Sequence, residues 1–227
     1  MKRLSTLVLL ASAVQLLGAA PALEAVTCNL DGGAAAARKA MHFIDEHHDH
    51  GYKFRLLEVQ DHKVEKVDGG CNMELKLNLG ETVCHTVNPK HFEDCEYRGT
   101  DSIAVSADCT VMMTVRNGDA AVTKYNCTTE QALSPEEMVM TCPDCPTLIP
   151  LTSPEGLMSV NQAVKEFNKN ATLQREYILQ EVGRLRSGYV MMAGMYFYAE
   201  FVLVESHCPK NSRILTAACN PLCPDRA

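Results

Sequence analysis

Four pairs of residues in this chain share one spacing. Glu81-x-x-Cys84 recurs as Glu205-x-x-Cys208, Cys95 recurs as Cys219, and Phe43 recurs as Phe167. The differences 205 − 81, 208 − 84, 219 − 95 and 167 − 43 are all 124. One register thus ties a cysteine-bearing region to a helical stretch upstream of it, the mark of a duplicated module. A duplication of that period restricts a chain of 227 residues to two tandem units of about 100 residues each.

Each copy reads helix, strand, strand. In the first, Ala36, Ala40, Phe43 and His47 keep helical spacing from an alanine-rich start, and Gly51 ends the run. In the second, Leu157, Val160, Val164 and Phe167 do the same after Ser153, a helix-capping residue, and Pro154 at the first helical position. Strand signals follow at Tyr52–Val59 and where Met73, Leu75, Leu77 and Leu79 alternate with Glu74, Lys76 and Asn78. Val111–Arg116 and Asp119–Tyr125 flank Asn117-Gly118, the pair favoured in a type I′ hairpin turn because both positions need positive φ. Glu176–Val182 and Tyr196–Glu205 are the strands of the second copy. The expected class is α+β: a helix packed on an antiparallel sheet, twice over. The first copy ends on a hairpin carrying Cys109 and Cys127, whose equivalents would fall beyond Ala227. The second unit is therefore expected to lack its closing hairpin and to expose a sheet edge.

The N-terminus sets the compartment. Lys2 and Arg3 precede a short apolar run from Leu4 to Leu17, and Ala20-Pro21-Ala22 offers a cleavage site, so residues 1–22 read as a secretory signal. The run is too short to span a membrane, and the mature chain is expected to start near Leu23 and to be extracellular. In that setting the 11 cysteines are crosslinks rather than metal or redox groups. Asn126-Cys127-Thr128 and Asn170-Ala171-Thr172 are glycan acceptor sequences. A net charge of −7 argues against nucleic acid or an anionic membrane as partner.

A helix over a sheet, with C-x10-C followed by a second cysteine pair, resembles the cystatin superfamily. The linker Thr141-Cys142-Pro143-Asp144-Cys145-Pro146, together with Glu81-Thr82-Val83-Cys84-His85 and Lys124-Tyr125-Asn126-Cys127-Thr128, resembles the fetuin family. That resemblance implies two cystatin-like modules, at 23–140 and 151–227, joined by a linker at 141–150. It also implies disulfides Cys84–Cys95, Cys109–Cys127, Cys142–Cys145 and Cys208–Cys219. Cys28, which fetuins join to a cysteine near their far C-terminus, is left over with Cys71 and Cys223.

The resemblance further implies inhibition of an extracellular astacin-like zinc metalloproteinase. A Cys142–Cys145 ring stiffened by Pro143 and Pro146 would hold Asp144 outward as a hard oxygen ligand for the enzyme's zinc. The alternative it carries is a calcium- or mineral-binding plasma carrier, which needs an acidic row on an exposed strand face. Glu74, Lys76 and Asn78 make that face nearly neutral. Inhibition of papain-like enzymes is not expected, since the chain has neither the Q-x-V-x-G hairpin of inhibitory cystatins nor any tryptophan.

His42, His47, His48, Asp49 and His50 are read as a solvated helix end, because consecutive helical histidines face different ways. No metal or cofactor is expected. The methionine run Val190–Met195 is expected to be part loop and part strand entering the core, at a hairpin where cystatins meet proteases. No triad, H-E-x-x-H or phosphate loop is present, and no catalysis is expected.

Overall fold

The computed structural model describes residues 25–29, 32–99, 103–192, 194–210 and 218–222. The expected signal sequence and Cys223 lie outside the described residues. The elements run α1 (Gly33–His47), β1 (Tyr52–Val67), β2 (Gly70–His85), β3 (Val105–Arg116), β4 (Asp119–Gln131), α2 (Pro135–Thr141), β5 (Thr147–Ile149), α3 (Pro154–Asn170), β6 (Arg175–Val190) and β7 (Gly194–Pro209). They form two antiparallel sheets, ordered β1-β2-β3-β4 and β5-β6-β7. The fold is cystatin-like, with helices packed on antiparallel sheets. No helix among the described residues is long and apolar enough to cross a membrane.

The alternation in β2 places its apolar residues on the helix-covered face. Met73 lies opposite Met113, Leu75 opposite Val111, Leu77 opposite Cys109 and Leu79 opposite Ala107, and all eight are buried. Ala36, Ala37, Ala40, Met41 and Ile44 of α1 complete that core. The three alanines let the helix axis approach the sheet closely. The hairpin turn adopts positive φ at Asn117 (52°) and Gly118 (81°), as a type I′ turn requires. β1 is longer than its apolar pattern suggests, continuing to Val67 through Gln60, Asp61, Lys63 and Glu65. It is an edge strand, and its outer half is held by backbone pairing to β2.

The second unit is thinner. Val160 and Val164 of α3 meet Val182 and Leu185 of β6. Ser153 caps α3 by accepting from the Gly156 N–H at 3.3 Å. Its sheet has three strands against four. Among the described residues, the outer edge of β7 has only the bridge Ser206–Pro221.

The duplication persists in atomic detail. Disulfides Cys84–Cys95 and Cys208–Cys219 both span 5.8 Å between Cα atoms. Val83 donates to the Glu96 carbonyl and His207 to that of Asn220, both at 3.0 Å. Arg98 donates to the Glu81 carbonyl and Leu222 to that of Glu205. The Thr82 hydroxyl accepts from the Cys84 N–H, and the Ser206 hydroxyl from the Cys208 N–H. Each helix also grips the following strand, through Asp45 accepting the Phe54 N–H and Asn168 accepting the Tyr177 N–H. Cys109–Cys127 and Cys142–Cys145 are also bonded. Cys28, left over in the sequence reading, bonds to Cys71, 5.8 Å away between Cα atoms. Cys28 thus lies against the start of β2, a proximity that spacing alone does not reveal.

The two sheets meet where Gly51 abuts Gly183. A Cβ on Gly51 would stand 2.3 Å from the Gly183 backbone, so neither position accepts a side chain without displacing the other unit. Beside them the Glu81 carboxylate is fully buried. It accepts the Val105 N–H at 2.9 Å and pairs with the Arg184 guanidinium of β6, with Arg98 at 3.4 Å and His50 at 3.5 Å. Arg184 also donates to the Ile103 carbonyl and lies 3.7 Å from Glu200. The Tyr52 hydroxyl donates to Glu200. Burial and that hydrogen bond push the Tyr52 phenol up to about 12. Burial by itself would raise the Glu81 carboxyl. The His50 imidazole and the Arg184 charge outweigh it and hold the group below the usual carboxylate range.

Because the folded pKa of Glu81 is depressed, its contribution to stability is complete above the unfolded value of about 4.3. That contribution is lost as pH falls through the lower folded value. Arg184→Ala is expected to cost about 3–5 kcal/mol in denaturant unfolding at pH 7, since it leaves a buried carboxylate undercompensated. Glu205→Gln, at the exposed equivalent position, is expected to change stability by no more than about 0.5 kcal/mol.

Candidate functional site

The linker is built from a capped helix, a small ring and a short strand. Ser134 begins α2 with a reciprocal cap: its hydroxyl accepts the Glu137 N–H while the Glu137 carboxylate accepts the Ser134 N–H at 2.9 Å. Accepting that hydrogen bond holds the Glu137 carboxyl below the usual range. The helix ends as the Cys142 N–H donates to the Met138 carbonyl at 2.8 Å. The Cys145 N–H then donates to the Cys142 carbonyl at 3.1 Å, across the ring that the Cys142–Cys145 disulfide closes. Pro146 leads into β5, which pairs with β6 through Thr147–Ser187, Leu148–Arg186 and Ile149–Leu185.

Pro143 and Asp144 are exposed at the turn, and Cys142, Cys145 and Pro146 are half-buried beneath them. The Asp144 carboxylate has no hydrogen bond or ion pair among the described residues. Its backbone carbonyl, by contrast, accepts the Tyr196 hydroxyl at 3.0 Å. Tyr196 reaches it by lying over Gly188, its cross-strand partner, where a Cβ would stand 2.3 Å from the Tyr196 ring. Any larger residue at 188 would drive the ring away. The backbone of the turn is thus fixed from two sides, while the carboxylate projects free.

Beside this loop rises the β6–β7 hairpin. Met191 and Met192 are 85% and 96% exposed, and Tyr189, Val190, Met195 and Tyr198 are exposed with them. This corrects the expectation that the methionine run enters the core. The 16-residue strands outrun the 17-residue α3, because a strand rises about 3.3 Å per residue and a helix about 1.5 Å, so their tip extends past the helix. Tyr198 is steadied by Tyr196, edge-on at 5.5 Å, and by the Arg186 guanidinium at 5.4 Å. The result is one face presenting a carboxylate next to a thioether and aromatic patch. Tyr196 and Gly188 were missed by the sequence reading; a tyrosine opposite a strand glycine was the available signal.

The histidine cluster does not converge. His47 bonds its own helix through the Phe43 carbonyl, His48 stands 3.4 Å from Asp45, and His50 turns to Glu81. His42 meets the His91 imidazole, while the His48 and His50 rings stand 6.1 Å apart. On the outer sheet face acidic groups alternate with cations and amides. Glu74 lies 3.4 Å from Lys63, and Asp108 accepts from Asn78 at 2.9 Å. Asn126 and Asn170 both have exposed side chains.

Residues 26–116 match the cystatin domain. The chain is 32% identical over 184 residues to antihemorrhagic factor cHLP-B of Gloydius brevicauda, covering 81% of this chain and 52% of that one. It is 31% identical over 189 residues to fetuin-B of Homo sapiens, covering 81% and 48%. Mouse fetuin-B in complex with crayfish astacin superimposes with a TM-score of 0.56 at 28% identity, covering 76% of this chain and 57% of that one. Mouse fetuin-B in its inhibitory complex with human meprin beta gives 0.60 at 27% identity, covering 81% and 58%. The chain spans about half the length of the curated relatives it matches.

Tyr196→Phe removes one hydrogen bond of about 1 kcal/mol from the linker. Amide exchange at residues 144–147 is expected to quicken by roughly fivefold, read by hydrogen–deuterium exchange, with the protein's overall unfolding little changed.

Proposed function

The chain is a homologue of fetuin-B and the antihemorrhagic factors built on a cystatin domain, and from that premise we propose that it inhibits astacin-type zinc metalloproteinases through Asp144. The observation that carries this reading is the pairing of a fixed backbone with a free carboxylate. Proteinase zinc keeps one coordination position open for the water it activates. A carboxylate entering that position displaces the water and stops hydrolysis. The carboxylate must arrive in one orientation, or the entropy lost in ordering it weakens binding. The Cys142–Cys145 ring, the β5–β6 pairing and the Tyr196 hydroxyl supply that order beforehand.

The ring has a second effect. It bends residues 142–145 into a turn, so this segment does not offer the enzyme an extended peptide to cleave. The hairpin tip, with Met191, Met192, Met195 and Tyr189, adds an adaptable apolar contact beside the zinc-directed group. Nothing in this arrangement activates a nucleophile, and the chain acts by occupying a site rather than by catalysis. A division into modules at 23–140 and 151–227 with a linker at 141–150 suits this role, because the loop then stands at the junction of the two units.

The protein works outside the cell on this reading. Its N-terminal secretory sequence, five disulfides among the described residues and exposed acceptors Asn126 and Asn170 support that. The mineral-carrier alternative finds no favouring observation, because the outer sheet face pairs its carboxylates with lysines and amides.

The experiment compares inhibition of a purified astacin-type enzyme by the secreted protein and by Asp144→Asn. Loss of the carboxylate is expected to raise the inhibition constant by about 30-fold or more, the scale of a central contact worth at least about 2 kcal/mol. Equal inhibition by the two proteins would remove Asp144 from the mechanism.

A further inference from the structure

Two histidines from distant parts of the chain come together on the first module. His42 projects from the middle of α1, and His91 sits on the loop between β2 and β3, 49 positions later. Their Nε2 atoms are 3.1 Å apart. The approach is built rather than incidental. Phe92, buried next to His91, stands edge-on to the His42 ring at 5.1 Å and anchors the loop under the helix. The loop is closed by the Cys84–Cys95 disulfide, and the Cys95 N–H donates to the Phe92 carbonyl at 3.2 Å.

We propose that His42 and His91 form a seat for a zinc-class divalent cation on the face of α1. With Zn–N bonds of about 2.0–2.1 Å, two nitrogens on one ion stand roughly 2.9–3.4 Å apart for bond angles of about 90–110°, and the observed separation falls inside that interval. Imidazole is a borderline donor that selects zinc, copper or nickel over calcium or magnesium, which prefer oxygen. The groove onto which the pair opens is also lined by Asp45 and Glu46, and Glu93 adjoins His91. Each of these carboxylates lies near enough to act electrostatically on His42.

The proton arrangement allows the exchange. Without an ion, the His91 Nδ1 accepts the Glu93 N–H at 3.3 Å, so the neutral ring carries its proton on Nε2 and donates it to His42. On binding, that proton moves to Nδ1, the hydrogen bond from the Glu93 N–H to Nδ1 breaks, the Glu93 carboxylate 3.8 Å away faces the new Nδ1–H, and no net proton is lost. A carboxylate behind the far nitrogen is the usual support of a metal-bound histidine. Glu93 is itself held by Arg38 at 2.9 Å. Among the described residues no third side chain closes on the pair. Water fills the remaining positions, and the site is open and exchangeable.

The test is calorimetric titration of Zn²⁺ into the chelator-treated, secreted, full-length protein, beside His42→Gln, His91→Gln and His48→Gln. One exchangeable zinc per chain is expected, weakened by roughly tenfold or more in the first two variants and unchanged in the third, with no heat from Ca²⁺ at equal concentration. Should either key variant fail to fold by circular dichroism, the unmutated protein still decides: zinc must shield His42 and His91 together from diethyl pyrocarbonate, read by peptide mass. No zinc uptake, equal binding by His42→Gln or His91→Gln, loss in His48→Gln, or unshielded histidines would each overturn the proposal.

Discussion

A single buried carboxylate joins the two halves of this molecule. Glu81 lies at the end of β2 with no exposure, and an isolated charge there would be several kcal/mol unfavourable. It is tolerated because four groups from four segments converge on it: the Val105 N–H, Arg98, His50 and, from the second sheet, Arg184. Arg184 is buried too, and it carries its remaining contacts to Ile103 and Glu200. Neither charge has a satisfactory environment without the other unit in place. Charge therefore orients the interface. The two facing glycines, Gly51 and Gly183, let the backbones come close enough for these pairs to form.

That docking determines where the linker can act. β5 is the continuation of the linker and at once an edge strand on β6, the strand that carries Arg184. The Asp144 loop is thus anchored to the same strand that anchors the interface. Tyr196, from the opposite strand, grips the loop from its other side. Order passes from the buried ion pair along β6 to the exposed turn, and the turn needs no core of its own. The second unit, whose buried apolar core among the described residues is Val160, Val164, Val182 and Leu185, leans on the interface and on Cys208–Cys219 for what that small core does not supply.

Equivalent positions of the duplication have taken different fates. Glu81 and Glu205 occupy the same place in their repeats and make the same backbone bond, to Arg98 and to Leu222. One is the buried centre of the interface, and the other pairs with Arg175 in solvent at 3.6 Å. Local backbone geometry follows the repeat, while the side-chain environment follows which face meets the other unit. The first helix shows the same division: His47 and Phe43 behave as helix-surface residues, whereas His42 finds His91 across the disulfide-closed loop.

Periodicity, turn chemistry and cysteine spacing are local or register-based signals, and from them the chain alone determined the duplicated helix-on-sheet plan, the Asn117-Gly118 turn, the Ser153 cap and the motif that raised Asp144 as a candidate. The outer half of β1 was not legible, because an edge strand held by backbone pairing needs no apolar alternation. The pairing of Cys28 with Cys71, the Tyr196 clamp over Gly188, the exposure of the methionine tip and the meeting of His42 with His91 were decided only in three dimensions. The disulfide, the hold of Tyr196 on the Asp144 carbonyl and the histidine pair each depend on two segments far apart in sequence arriving at one place, and the methionine tip is exposed because no segment arrives over it. Sequence spacing encodes which face a residue occupies on its own element; it carries no record of what packs against that face.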